Sequence, residues 1–277
     1  MSSSKAILLK EEGNRYFQAG DYVRAEAVYS KALIADPLNP TLYTNRAMAR
    51  LRMQLWENVI ADCEECLKLS PDSSMKAHYY LSQAHLALRH YDDAVEHARI
   101  AYDLCVQTLD KSLASVLAQV LKSKKERWDD LEKRRTRENS DLEAEMLSLM
   151  ERERDEALRP DGDETMDEGS RREITEEWEK KMTTMCDVFN KARSADDKPR
   201  VVPEWAIDDI SFGFMHDPVV TKTGKSYERA SIMEHLRRQN MDPITRTPLY
   251  PSDLRPNLDL KQACDEFLQE NGWAADW

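Results

Sequence analysis

A 34-residue period near the start of the chain constrains its fold more than any other feature of the sequence. Pro37 and Pro71 are 34 residues apart, and each closes a segment in which two helical patterns are joined by a short turn. A single helix pair cannot bury its apolar face alone, so consecutive pairs stack and share one continuous core. The period therefore predicts a curved array of helix pairs in the first part of the chain.

The residue types inside each unit indicate which kind of repeat this is. In the first unit, small, aromatic and proline residues occupy positions typical of the tetratricopeptide repeat: Gly13, Tyr16, Ala25, Tyr29, Ala32 and Pro37. The second unit has Cys63 and Cys66 at the positions of Tyr29 and Ala32. A third unit, one residue out of phase, carries small residues on its second helix: Ala94, Ala98 and Ala101. The sequence thus resembles a three-repeat tetratricopeptide domain, in which the CxxC is a packing pair rather than half of a zinc site or a redox pair.

Composition limits the class of protein. With 7 glycines and 33% charged residues in 277 positions, the chain favours helices with long solvated faces. A formal net charge of −12 disfavours nucleic-acid binding, and five cysteines, an odd number, do not indicate a secreted disulfide framework. The N-terminal apolar run is too short for a signal peptide, and no run approaches the ~20 apolar residues of a membrane-spanning helix. We expect a soluble intracellular protein of the cytoplasm, with the nucleus as a second location.

Polar residues on the first helix of each unit predict a ligand site, because those helices line the concave groove of such an array. Lys10 and Asn14 lie one turn apart in the first unit, and Asn45 and Lys76 follow in the next two units. Lysine donates charge-assisted hydrogen bonds, and asparagine both donates to and accepts from peptide groups, so the four suit a peptide carboxylate. An ordinary solvated face is the alternative.

These four residues match the carboxylate clamp of tetratricopeptide domains that bind the C-terminal Glu-Glu-Val-Asp tails of the 70- and 90-kDa heat-shock chaperones. The resemblance implies that these chaperones are partners of the chain. The usual clamp has another basic residue one turn after the second lysine, whereas this chain has Tyr80 there. Tyr79, beside it, is included in the predicted tail-binding site.

From Leu113 to about Arg193 the sequence changes to a long, charged helical pattern. Its apolar stripes are too thin for a core: Trp128, Leu131, Leu142, Met146 and Leu149, then Ile174, Trp178, Met182, Met185 and Phe189. The stretch RPDGDETMDEGS between the stripes indicates a break, because it combines proline, glycine and dense acidic charge. We predict a helical hairpin that pairs with a second copy in a homodimer; a solvated connector is the alternative.

The last part of the chain has the layout of a RING finger without its ligands. A hairpin with its turn at Thr223-Gly224-Lys225 is followed by a helix, a loop and a final helix from Leu258 to Glu270. Cys264, His216 and His235 are the only cysteine and histidines there, too few for two four-ligand zinc sites. The segments DDISFGFMHDPVVTKTGKSYER, DPITRTPL and PNLDLKQACDEFLQENGW instead resemble the U-box, a zinc-free RING-like fold that salt bridges and hydrogen bonds stabilise.

The U-box resemblance implies roles for individual residues. It places the docking groove for a ubiquitin-charged conjugating enzyme at Ile210, Phe212, His235 and Pro243, with the core as an alternative place for Phe212. Asp217 and Asp242, each directly before a proline, are candidates for the stabilising polar contacts. Cys264 falls on an apolar helix face, so no covalent ubiquitin intermediate is expected on this chain.

The loop MDPITRTPL, residues 241–249, places Arg246 between two prolines. Proline restricts its own φ and disfavours helix at the residue before it, so the loop is predicted to be rigid. In RING-like ligases an arginine or similar donor from this loop bridges the conjugating enzyme and its attached ubiquitin, and the resemblance assigns that catalytic role to Arg246. A tight turn between core elements is the alternative.

The order of the three parts resembles the family of chaperone-associated U-box ubiquitin ligases. We therefore predict a mainly α protein with a tetratricopeptide domain at 1–110, a charged helical arm at 111–198 and a small α+β U-box at 199–277. The resemblance implies a ubiquitin-protein ligase and co-chaperone that ubiquitinates chaperone-bound clients and needs no metal or other cofactor. A non-catalytic co-chaperone adaptor is the alternative.

Overall fold

A computed structural model describes residues 2–71, 74–159, 167–194 and 201–277, most of which are helical. The chain divides into two compact units, one formed by Met1–Asp129 with Val202–Trp277 and the other by Asp130–Val201. No helix among the described residues is long and apolar enough to cross a membrane.

The predicted repeat array is confirmed. Its helices pair in chain order, α1 with α2, α3 with α4 and α5 with α6: α1 Ser2–Gln18, α2 Tyr22–Ala35, α3 Pro40–Arg52, α4 Trp56–Leu69, α5 Met75–Ala87 and α6 Tyr91–Thr108. Local sequence sets where these helices begin. For example, the Asn39 side chain accepts a hydrogen bond from the Thr41 N–H at 3.2 Å, and Pro40 occupies the first helical position of α3.

The turn inside each pair recurs at the same place. Gly20, Gln54 and Arg89 have positive φ angles of 79°, 60° and 63°, and each lies two residues before the second helix of its pair. Glycine adopts this backbone region without strain, whereas the other two residues are held in it by the surrounding helices. Arg89 follows Gln54 by 35 residues instead of 34, so the phase shift of the third unit arises in or before this turn.

Small residues let the repeat helices approach closely. A Cβ added at Gly13 would lie 2.5 Å from Cε1 of Tyr29, so this ring packs directly on the α1 backbone. Cys63 and Cys66 are buried in the core shared by the second and third units, together with Ala47, Val59, Ala77, Leu81 and Ala84. Burial raises the pKa of the Cys63 thiol well above its ordinary value. The CxxC is therefore a packing pair, as predicted.

An ionic network joins the first two repeats. Arg46 donates to both carboxylate oxygens of Asp62, at 3.0 Å from Nε and 2.5 Å from Nη2, and Arg50 donates to Asp62 at 2.9 Å and to Glu26 at 2.7 Å. The Asp62 side chain is only 3% exposed and the two arginines 15–18%. Charges this well buried stabilise the fold only while they remain paired.

The helix that follows the repeats, α7, spans Leu113–Ala157. Its first turns, which we predicted to belong to the arm, are buried against α6 in one cluster: Leu113, Val116, Leu117 and Val120 with Ala98, Ala101, Tyr102 and Cys105. Further along, Trp128 was predicted to belong to the thin apolar stripe of the arm, but in the structure its ring contacts the C-terminal module. It packs against Gly272, where a Cβ would come within 2.2 Å of the indole ring.

The two helices predicted for the arm are present, as the rest of α7 and as α8 Glu168–Ser194. The apolar stripes of both helices are partly exposed to solvent. On α7, Leu131, Leu142 and Leu149 are 41–52% exposed, and α8 has no fully buried residue among those whose side chains are described. The predicted break at residues 159–170 and the boundary at residues 194–205 fall largely on 160–166 and 195–200, outside the described residues.

The C-terminal module is a small α+β fold, as predicted. An antiparallel sheet of order β2-β1-β3 packs with two helices: β1 Pro218–Val220, β2 Ser226–Glu228, α9 Arg229–Arg238, β3 Arg255–Pro256 and α10 Leu258–Glu270. Short 3-10 turns lie at Glu204–Ala206, Pro251–Asp253 and Gly272–Asp276. Gly224 has a φ of 80° in the predicted hairpin turn. The module joins the repeats in one unit through bonds such as Tyr102 Oη to Asp217 at 3.1 Å.

Candidate functional site

The predicted clamp residues lie on the first helices of the three repeats. Lys10 and Asn14 are on α1, Asn45 is on α3 and Lys76 is on α5. The Asn14 side-chain oxygen accepts hydrogen bonds from Tyr29 Oη at 2.8 Å and from Asn45 Nδ2 at 3.4 Å. These bonds orient the two asparagines at the junction of the first and second repeats.

Asn45 and Lys76 line a common cavity of about 350 Å³. Asp110 lies in the same cavity, where the backbone N–H of Ser112 donates to it at 2.8 Å. This bond and, to a lesser degree, the positive charge of Lys76 lower the pKa of the Asp110 carboxyl. The cavity thus combines an amide and an ammonium group, which can donate hydrogen bonds, with the Asp110 carboxylate, whose negative charge offsets part of the positive charge of Lys76.

Tyr79 and Tyr80 differ in their surroundings. Tyr79 is half-buried against the α6–α7 core, and its ring centroid lies 5.9 Å from that of Tyr80. Tyr80 packs on the core between the second and third repeats, and burial raises its pKa to about 12. Tyr80, which replaces the second basic residue of the usual clamp, is therefore a packing residue.

The first loop of the C-terminal module is held by Asp208, a residue that sequence reasoning missed. Its buried carboxylate accepts from the N–H and Oγ of Ser211, at 2.8 and 2.7 Å, and from the backbone N–H of Glu228 at 2.9 Å. The sequence DDIS carries the local signal for this turn, an aspartate three residues before a serine. The bond to β2, however, depends on the tertiary fold.

The second loop is held by Asp242, one of the two predicted polar contacts. Asp242 Oδ1 accepts from the backbone N–H groups of Ile244 and Thr245, both at 2.9 Å, and from Tyr227 Oη at 3.1 Å. The other predicted residue, Asp217, pairs with Arg229 Nε at 2.6 Å. The module thus uses buried carboxylates where a RING finger would use zinc.

The residues predicted to dock a conjugating enzyme lie on both loops and on α9. Ile210 is half-buried against the module's core, whereas Phe212 is 74% exposed, so Phe212 is not a core residue. His235 Nε2 lies 2.9 Å from the Met241 carbonyl oxygen and links α9 to the second loop, on which Pro243 lies half-buried. Ile210 and His235 line one cavity of about 410 Å³.

Arg246 lies at the tip of the second loop with an exposed side chain. Its φ is 56°, and its backbone N–H donates to the Asp242 carbonyl oxygen at 2.9 Å. A positive φ is unfavourable for an arginine, so the Asp242 contacts hold the loop in a conformation that it would not adopt alone. The guanidinium is presented to solvent from a backbone that is already ordered.

Cys264 is fully buried in α10. Burial, with smaller contributions from Asp265 and Glu228, raises the pKa of its thiol to about 12. A buried, protonated thiol cannot accept ubiquitin by thioester exchange, because the thiolate is the nucleophile.

Glu228 carries a pH-dependent contribution to stability. Its Oε2 accepts from the N–H groups of His216 and Asp217, at 2.7 and 2.9 Å, and the side chain is buried. Burial raises the pKa of Glu228 from 4.5 to about 7. The Glu228 carboxyl therefore binds its proton more tightly in the folded state than in the unfolded state, and this contribution to stability is lost as the pH rises through the folded pKa.

We expect Glu228→Gln to remove this dependence. The wild-type module should lose about 3 kcal/mol of stability from this group as the pH rises from 4.5 to above 7, because the raised folded pKa disfavours ionisation. The variant should therefore gain stability relative to wild type across that window, as measured by urea unfolding with tryptophan fluorescence. The exposed Glu204→Gln is the matched control and should follow wild type. Parallel pH profiles for wild type and Glu228→Gln would contradict the prediction.

Comparison with known proteins places these features in a family context. The U-box domain family model matches residues 202–273, and the model of the CHIP N-terminal tetratricopeptide repeat domain matches residues 123–200, which follow the three helix pairs. The chain is 31% identical over 277 residues to the E3 ubiquitin-protein ligase CHIP of Arabidopsis thaliana, covering 99% of this chain and 97% of that protein.

Other relatives match shorter parts of the chain. RNA polymerase II-associated protein 3 of Rattus norvegicus is 42% identical over 94 residues, which cover 34% of this chain and 14% of that protein. Among solved structures, the first tetratricopeptide domain of Spaghetti (RPAP3), bound to an HSP90 peptide, is 36% identical to this chain with a TM-score of 0.36. The match covers 37% of this chain and 80% of the solved chain.

Proposed function

The chain belongs to the family of the E3 ubiquitin-protein ligase CHIP, and on that premise we propose that it transfers ubiquitin to proteins held by heat-shock chaperones. The observation that carries the proposal is the similarity along the whole chain to one ligase, which includes a U-box at residues 202–273. We propose that it is located in the cytoplasm, with the nucleus as a second location, and imaging of the tagged protein would test both.

The transfer step requires positioning rather than a nucleophile on this chain. The conjugating enzyme would dock on Ile210, Phe212, His235 and Pro243, which the Asp208 and Asp242 contacts hold in place. Arg246 would contact the docked enzyme and its ubiquitin together, since a guanidinium has several donors in one plane. Restricting the motion of the charged enzyme lowers the entropic part of the barrier to attack by a client lysine.

The repeats would supply the client by binding a chaperone tail. Lys10 and Lys76 would pair with the terminal carboxylate and acidic side chains of a Glu-Glu-Val-Asp peptide, and Asn14 and Asn45 with its backbone. The Asn14–Asn45 hydrogen bond supports this role, because it orients both amides before the peptide arrives. Tyr79 would contact the same tail.

A reconstituted ubiquitination assay tests the proposal against the non-catalytic adaptor. Activating enzyme, conjugating enzyme, ubiquitin and this protein are combined with a 70-kDa heat-shock chaperone as substrate, or with a chaperone that lacks its last four residues. We expect modification of the intact chaperone and little modification of the truncated one. If no conjugating enzyme yields ubiquitin transfer while tail binding persists, the adaptor function is correct instead.

We expect Lys10→Ala to weaken binding of a Glu-Glu-Val-Asp peptide by about 1.5 to 3 kcal/mol, since it removes a charge-assisted hydrogen bond to a carboxylate. The loss corresponds to a roughly ten- to hundredfold higher Kd by calorimetric titration. Lys31→Ala, on the exposed side of α2, is the matched control and should bind as wild type does. Equal affinities for wild type and Lys10→Ala, or unchanged affinity for a C-terminally amidated peptide, would rule out the clamp.

We also propose a homodimer formed through the arm, because its apolar stripes are half-exposed in the single chain. Light scattering at micromolar concentration should give about twice the 32.1 kDa chain mass. Met182→Glu, on the α8 stripe, should shift the mass towards the monomer, whereas Lys180→Glu, on the exposed side of the same helix, should not. A monomeric wild-type protein under these conditions would exclude the dimer.

A further inference from the structure

Four of the chain's six histidines lie together where α5 and α6 meet: His78, His85, His90 and His97. The Nδ1 atoms of His78 and His97 are 3.1 Å apart, and those of His85 and His90 are 3.4 Å apart. The rings of His85 and His97 stack with their centroids 5.5 Å apart. The clamp and the U-box use none of these side chains, so the cluster needs a separate explanation.

We propose that His85, His90 and Asp93 form a binding site for a divalent metal ion of the zinc class. His85 Nδ1 lies 3.8 Å from Asp93 Oδ2, and the three prospective ligand atoms all lie within 4.8 Å of one another. Imidazole nitrogen with carboxylate oxygen is a donor set that suits zinc and neighbouring transition metals better than calcium or magnesium.

The spacing of the ligand atoms fits tetrahedral coordination. With zinc–nitrogen and zinc–oxygen distances of about 2.0 to 2.2 Å, two ligand atoms of a tetrahedral site are roughly 3.3 to 3.5 Å apart. The His85–His90 separation of 3.4 Å has this value, the His85–Asp93 separation is 3.8 Å, and His90 and Asp93 lie within 4.8 Å of each other, so binding would draw the Asp93 carboxylate closer to the two rings. Three protein ligands leave the fourth position for water.

The backbone positions these ligands before any metal arrives. The His90 N–H donates to the His85 carbonyl oxygen at 2.9 Å, across a turn in which Arg89 has a φ of 63°. His90 then caps α6, and its carbonyl oxygen accepts from the Ala94 N–H at 3.0 Å. Because two packed helices fix this turn, the ligands lie on rigid elements rather than on a mobile loop.

The electrostatic surroundings favour a bound cation. The Asp93 carboxylate, 3.8 Å from His85 Nδ1, places a negative charge beside two imidazole rings that can each offer a ring nitrogen to a cation. Glu64, on α4, acts on both His85 and His97 with its negative charge. The Nδ1 atoms of His85 and His90 face each other, so both can direct a lone pair at one metal ion. If both rings were protonated, their positive charges would repel each other.

A metal at this place would join the end of α5 to the start of α6. Since α5 also carries Lys76 and Tyr79, the ion would stabilise the third repeat on which part of the predicted chaperone-tail site lies. All three proposed ligands belong to the repeats, so the metal site is separate from the U-box. It does not affect the conclusion that buried carboxylates hold the U-box loops.

The test is calorimetric titration of chelator-treated, full-length protein with zinc chloride. We expect one equivalent to bind, and His90→Gln and Asp93→Asn each to weaken it at least tenfold; both replaced residues are exposed, so the fold should be retained. His78→Gln is the matched control and should keep the wild-type affinity within about twofold. Circular dichroism confirms that each variant is folded.

Hydrogen exchange provides a second measurement. Zinc should slow exchange of the amides around residues 85–94 in wild type and not in His90→Gln, while magnesium chloride should have no effect. The proposal is wrong if wild type binds no zinc, or if His90→Gln and Asp93→Asn bind as tightly as wild type. It is equally wrong if His78→Gln abolishes binding and His90→Gln does not, since the metal would then lie on the His78–His97 pair.

Discussion

Replacing Arg246 by alanine is expected to slow the discharge of ubiquitin from its conjugating enzyme to lysine by roughly ten- to a hundredfold, with binding of that enzyme nearly unchanged. The estimate corresponds to the loss of about 1.5 to 3 kcal/mol from charge-assisted hydrogen bonds that the guanidinium makes in the transition state. Its exposed position at the tip of an ordered loop supports this role, because the side chain can reach two molecules without first ordering its backbone.

The measurement is single-turnover discharge beside a direct binding titration on the same variants. Ile210→Ala should weaken docking itself, because it removes apolar contact from the cavity that it lines with His235. Arg255→Ala removes an exposed arginine of the same module from β3 and serves as the matched control, with wild-type discharge expected. If Arg246→Ala discharges at the wild-type rate, the arginine is a turn residue only.

Asp62→Asn is expected to destabilise the first two repeats by about 3 kcal/mol or more. The substitution leaves Arg46 and Arg50, each less than a fifth exposed, without the carboxylate that both of them contact. A neutral amide can accept through its single oxygen but cannot balance the charge of Arg46, and Arg50 keeps only its pair with Glu26. The tail-binding site should weaken in parallel, because Asn45 lies beside Arg46 on α3.

Hydrogen exchange of the α3 and α4 amides measures this local stability directly. Glu65→Gln breaks the exposed pair that Glu65 forms with Lys68 at 2.6 Å on the same helix as Asp62, and should cost at most about 0.5 kcal/mol. A loss for Asp62→Asn no larger than that of Glu65→Gln would show that the buried network contributes little to the stability of the repeats.

Much of the fold was predictable because its signals are local. The recurrence of small and aromatic residues at helical spacing identified the repeats, and the positions of Cys63 and Cys66 in that period explained a motif otherwise typical of metal or redox sites. The hairpin turn at Gly224 and the helix Leu258–Glu270 follow from turn chemistry and apolar periodicity. The relative positions of side chains one or two turns apart on a helix, or on either side of a tight turn, can be predicted without tertiary information.

Contacts between distant segments were not predictable in this way. Sequence attributed the rigidity of the Arg246 loop to its prolines; the structure adds a bond from the Tyr227 hydroxyl on β2 to the Asp242 carboxylate, which also accepts from two backbone N–H groups of the loop. Trp128 belongs to the apolar periodicity of α7, yet Gly272, far along the chain, provides the surface that it packs on.

The sequence by itself therefore determined the repeats, the order of the modules and the residue types available at each site. Tertiary structure alone decided which charges are buried together, which carboxylates hold the U-box loops, and that four histidines from two helices and their connecting turn converge. The physical reason is range. Backbone propensity and periodicity act within a few residues, whereas burial, ion pairing and ligand geometry depend on distances of a few ångströms between side chains that only the packed helices bring together.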